Sequence, residues 1–94
     1  MKLEEHEMMS VKAFGQPYTK VHLWLDEFFS TLGARHRRKR HHLQGIEEVR
    51  RRWGDDAAFV ARLHVVQDLE GEGFVEGKDA MPRDEADYVR KGFF

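Results

Sequence analysis

Ninety-four residues, 40% of them apolar and 35% charged, provide for one small globular core and exclude a repeat array, a large cofactor fold or a disordered chain. Zero cysteines exclude disulfides, thiolate metal sites and cysteine nucleophiles, so the six histidines and the carboxylates are the strongest ligands available. The net charge of −1 hides an uneven distribution, −2 over residues 1–33, +6 over 34–53 and −5 over 54–94.

In chain order, residues 1–15 carry a weak apolar pattern and read as an N-terminal arm. Phe14-Gly15-Gln16-Pro17 is a turn, and Pro17 with Gly33 bounds a first main helix within residues 16–33. At 100° per residue, Tyr18, Val21, Leu25, Phe28, Phe29 and Leu32 form one stripe of that helix, its expected core face, flanked by His22 and Asp26. Residues 34–53 read as a second helix stopped by Gly54. Gly45 inside it either costs about 1 kcal/mol against alanine or marks a break or a close contact. His42 shares the apolar stripe of this helix with Ile46, Val49 and Trp53, whereas His41 falls about 100° away, at the edge of that stripe.

Asp55 and Asp56 offer a cap and a favourable dipole charge to a third helix over 56–70. It is apolar nearly all round, interrupted by His64 and Asp68 beside small residues. Glycines mark Glu70–Lys78 as a loop, and Pro82 precedes a short helix near Asp84–Arg90 within a C-terminal segment, 79–94, whose Phe93 and Phe94 are apolar enough to dock. The expected fold is therefore a single all-α domain over 1–94, a small helical bundle of three main helices plus a short C-terminal helix and an N-terminal arm. So apolar a third helix in so short a chain predicts a homodimer. No apolar run suits a membrane span or secretory leader, which predicts a cytoplasmic protein without membrane contact.

One spacing recurs. His22 with Asp26, and His64 with Asp68, each stack an imidazole over a carboxylate one helical turn apart. Each pair alone is adequately explained as a local hydrogen bond. Two pairs with the inward His42 on three helices point to a divalent-metal site of nitrogen and oxygen donors, suited to Zn, Mn, Fe or Ni, with His36, His41 and His6 as further ligands. Such a metal lowers the pKa of bound water, so the expected chemistry is hydrolytic. No glycine loop for phosphate or organic cofactor, nucleophile elbow or zinc-protease motif is present.

Arg35, His36, Arg37, Arg38, Lys39, Arg40, His41 and His42 form a basic run, and the arginines offer an alternative reading as a nucleic-acid or phosphate-ligand module. Against it stand the balanced total charge and the lack of an aromatic residue within the run to stack on bases. The expectation is that the run pairs with carboxylates of residues 70–87 or of a second subunit. A structural or interaction protein without a small ligand is the remaining alternative.

The histidines also fall in spaced blocks: His6, Ser10 and Phe14-Gly15; His22, Trp24 and Asp26; Arg35-His36-Arg37, His41-His42 and Gly45; His64-Val65 and Asp68-Leu69, with Pro82 and Asp87-Tyr88 beyond. These blocks resemble a histidine-rich family of small bacterial proteins whose domain has no assigned function. The resemblance implies no activity, only that the histidines act as a set. The chain departs from the family pattern at Arg62-Leu63, where Glu-Gln is frequent, and any reaction needing those two polar groups is absent here.

Overall fold

The structure, a computed structural model, describes residues 3–93. Its helices are α1 (Leu3–Phe14), α2 (Thr19–Leu25), α3 (Phe29–Leu32), α4 (Arg37–Arg40), α5 (Leu43–Trp53), α6 (Asp55–Glu70) and α7 (Glu85–Arg90), with a 3₁₀ turn over Gly33–His36 between α3 and α4. The expected all-α fold is present. Among the described residues no helix is long and apolar enough to cross a membrane.

Helix α6 is the axis. Ala57, Val60, Ala61, Val65 and Leu69 are buried along it, and α5 and α2 pack on its sides through Ile46, Val49, Val21 and Leu25. Each of the larger of these side chains contributes about 1.5–3 kcal/mol by leaving water. Gly54 alone separates α5 from α6, and its φ of 96° is a backbone state that a side chain would strain. Helix α7 closes the far side with the fully buried Tyr88, capped where the Asp84 carboxylate accepts from the Asp87 amide at 2.9 Å.

Three expectations are corrected. The N-terminal arm is a helix, α1, whose buried residues are the polar His6 and Ser10, so an apolar pattern could not announce it. The first main helix stops at Leu25, and with it the stripe: Val21 and Leu25 are buried, while Phe29 and Leu32 beyond the break are exposed. The second is broken at His41 and His42, where His42 takes an extended backbone and caps α5 by accepting from the Gly45 amide at 3.0 Å. Gly45 marks a close contact, since a Cβ there would lie 1.9 Å from the Arg40 carbonyl oxygen. Phe93 does dock on Phe74 and Tyr88, and Phe94 lies outside the described residues.

Candidate metal centre

Five short stretches converge on one buried point. Helix α1 brings His6 and Ser10, α2 brings His22 with Asp26 just past its end, and the 3₁₀ turn brings His36. The break before α5 brings His41, and α6 brings His64 and Asp68. All five imidazoles are buried, as is Asp68, whereas the Asp26 side chain is 25% exposed and forms the edge of the cluster nearest solvent.

The two carboxylates sit among ring nitrogens. His64 Nε2 is 3.1 Å from Asp26 Oδ1 and 3.3 Å from Asp68 Oδ2, and His41 Nε2 is 2.9 Å from Asp68 Oδ2 and 3.4 Å from Asp26 Oδ1. His36 Nε2 approaches Asp26 Oδ1 to 3.0 Å, and His6 Nε2 approaches Asp68 Oδ1 to 3.4 Å. Behind them, His22 Nδ1 lies 2.8 Å from His64 Nδ1, and His22 Nε2 lies 2.7 Å from Ser10 Oγ.

Burial pushes both carboxyl groups up, but nitrogen contacts outweigh it and hold them far below the usual carboxylate range: His36, His41 and His64 for Asp26, and His41, His6 and His64 for Asp68. Both carboxyl groups are therefore ionised. The rings face a matching problem. His36 Nδ1 donates to the Gly33 carbonyl at 2.7 Å and His6 Nδ1 donates to Gln67 Oε1 at 3.1 Å, so the Nε2 that each ring turns toward a carboxylate oxygen is a lone pair unless the ring takes up a second proton. Two lone-pair atoms in a dry pocket repel unless a proton or a cation stands between them. Outward N–H groups tied to carbonyl oxygens are also how proteins fix metal-binding histidines.

Two groups of these atoms are close enough to hold an ion, with donors within 4.8 Å of one another: Asp26, His41, His64 and Asp68, and separately His6, His22 and His64. Ring orientation separates them. An imidazole lone pair lies in the ring plane. His6 stacks face to face on His64 with centroids 3.7 Å apart and 14° between planes, so the lone pairs of these two rings run side by side, while His22, tilted about 20° to each, turns its Nδ1 to His64 Nδ1. His41 stands at 63° to His64, and both can address one ion with Asp26 and Asp68. A buried His/Asp group in this protein could thus hold a metal ion.

Of the ligands read from the sequence, His22, Asp26, His64 and Asp68 do come together, but His22 spends both nitrogens on Ser10 and His64. His42 does not join them. It is buried away from the carboxylates, with Nδ1 accepting from Gly45 and Nε2 donating to the Lys39 carbonyl at 2.9 Å. The break at residues 41 and 42 swings His41 inward instead. His6 and His36, the outlying histidines of the sequence reading, also reach the carboxylates. Ser10 entered the sequence reading only in the block it shares with His6 in the family resemblance, and not as a partner of this cluster.

The basic run is largely spent on acids of the same chain. Arg37 pairs with Glu72 at 2.7 Å and reaches Asp68 at 3.8 Å, and Lys39 pairs with Glu85 at 3.2 Å. Arg40 pairs with Glu27 at 2.5 Å and lies over the Trp24 ring at 3.9 Å. Arg38 is half-buried and Arg35 is exposed.

Comparison with known families places the chain. It belongs to the family described as Domain of unknown function (DUF6915), whose model matches residues 1–91. No curated protein and no solved structure matches it.

Proposed function

We propose that this DUF6915 domain binds one divalent transition-metal ion through Asp26, His41, His64 and Asp68, with His36 at the outer edge, and that the ion activates water for hydrolysis. The observation that carries the reading is spacing. A tetrahedral site with bonds of 2.0–2.1 Å has edges of about 3.3–3.4 Å, and an octahedral one has adjacent edges of about 2.9 Å. Four inter-ligand distances here are 2.9, 3.1, 3.3 and 3.4 Å. These four of the six edges fall in the range of such sites, which supports the reading.

Two imidazoles and two carboxylates suit Zn, and also Mn, Fe or Ni, which share a taste for nitrogen and oxygen. A cation would offset the charges of the two carboxylates and take up the inward lone pairs together. Hydrolysis is supported by the partial exposure of the Asp26 side chain, beside which a bound metal would supply hydroxide at neutral pH. The salt bridges of Arg37, Lys39 and Arg40 favour a structural part for the basic run over nucleic-acid binding. Elemental analysis of the protein purified without a histidine tag tests the reading. About one equivalent of a transition metal per chain is expected, and a metal content at background after reconstitution with Zn, Mn, Fe and Ni overturns it.

A further inference from the structure

Ser10 sits one residue beyond the ligands, and its hydrogen bonds have a direction. A serine hydroxyl owns one proton. Ser10 donates it to the His6 backbone carbonyl, one turn back in α1, at 3.0 Å. Toward His22 the oxygen can then only accept, at 2.7 Å, so the proton of that bond belongs to His22 Nε2.

The consequence passes through the next ring. With its proton on Nε2, neutral His22 has a lone pair at Nδ1, and the 2.8 Å contact with His64 Nδ1 becomes a bond that His64 donates. His64 then holds its proton at Nδ1 and turns a bare Nε2 toward Asp26 Oδ1 and Asp68 Oδ2.

We infer that Ser10 is a positioning residue for the metal centre: through the chain Ser10–His22–His64 it fixes the tautomer of His22 and thereby presents His64 Nε2 as a ligand. The inference rests on the metal-binding reading for its effect on affinity, but the tautomer of His22 can be read without any ion. Ser10 touches neither the carboxylates nor the proposed ion, so its influence travels by proton placement.

The test is long-range ¹H–¹⁵N correlation NMR of the histidine rings, with zinc affinity measured alongside. In zinc-free wild type at pH 8, His22 is expected to carry its proton on Nε2, and after one equivalent of zinc His64 is expected to be protonated at Nδ1 and shifted by metal at Nε2. A His22 protonated at Nδ1 in the zinc-free protein overturns the inference, whether or not zinc binds. In Ser10→Ala, a small residue well suited to a buried helix, zinc affinity should drop about 10–100-fold, the usual effect of losing an outer-shell partner. Ser10→Thr keeps the hydroxyl and should restore affinity to within about threefold of wild type, on the scale of that loss. Ser10→Ala with unchanged affinity and unchanged ring shifts would overturn the inference and leave the metal reading standing. Wild type that binds no zinc would remove the metal reading, with the His22 tautomer still deciding the relay.

Discussion

His41 reaches from the break before α5 to Asp68 in the last turn of α6, Nε2 to Oδ2 at 2.9 Å, although its neighbour His42 is the one aligned with the apolar stripe. Two adjacent histidines thus do opposite jobs. His41→Ala is expected to abolish stoichiometric zinc binding. His42→Ala should keep it and lose about 1–2 kcal/mol of stability as the cap to Gly45 disappears. Zinc titration and urea unfolding of both variants check this, and equal zinc binding by both would contradict it.

Gly45→Ala should destabilise the fold by about 3 kcal/mol, because the new Cβ meets the backbone oxygen of Arg40, which no rotamer change can move aside. Urea unfolding of this variant is the measurement. A loss near the 1 kcal/mol of helix propensity alone would show that the chain crossing is looser than described.

The helices that bury an apolar face were legible in the sequence because burial of that kind leaves a period. Helix α6 ran to within a residue of its expected bounds. What escaped is polar burial. His6 and Ser10 give α1 an inward face without hydrophobic residues, and the turn at His41 and His42 is set by a side-chain cap and by the crossing of Arg40 over Gly45, neither of which periodicity encodes. The two His/Asp pairs do fall in one buried cluster, since a four-residue spacing survives as long as the helix does. Extending the second helix straight through residue 41 turned His42 inward and left His41 at the edge, whereas both are buried and it is His41 that meets the carboxylates.

The pH dependence carries opposite signs at two histidines. His22 is lowered to about 3 from 6.5, so below pH 6.5 the unfolded chain takes up a proton that the fold refuses, and each further pH unit costs up to about 1.4 kcal/mol of stability. Asp26 and Asp68, also lowered, add to the loss once pH falls below their ordinary value of 3.8. His36 runs the other way: burial lowers it, but its hydrogen bonds to Asp26 and Gly33 prevail and raise it above 6.5. Its contribution is complete below pH 6.5 and fades as pH rises through the folded value. In the presence of a chelator, the stability gap between wild type and His36→Ala should be largest near pH 5.5 and shrink by pH 8. A gap that widens with pH would refute the sign.

Arg37→Gln should destabilise the protein by about 1.5–3 kcal/mol, since it strips Glu72 and the buried Asp68 of their guanidinium. Retention on a DNA column at physiological salt is expected to be negligible for wild type and variant alike. Tight, salt-sensitive retention that the variant loses would move the basic run from structure to ligand binding.

Zinc should stabilise the fold. At a free concentration of 100 times Kd the gain is about 2.7 kcal/mol, equivalent to about 10–20 °C in Tm for a domain of this size. The gain should fade as pH falls through about 6.5, where protons compete for the imidazoles. Asp68→Asn should show no zinc-dependent rise, and a rise equal to that of wild type would place the ion elsewhere.

The most direct measurement is a cobalt(II) titration of the tag-free protein followed by visible absorption, because the ligand field of the ion reports its donors and their geometry. Intense bands of a four-coordinate nitrogen and oxygen site, saturating at one equivalent, displaced by zinc and missing from His64→Ala and Asp68→Asn, are the predicted result. Only the faint spectrum of the hydrated ion, rising linearly past one equivalent and identical in wild type and both variants, would contradict the metal centre.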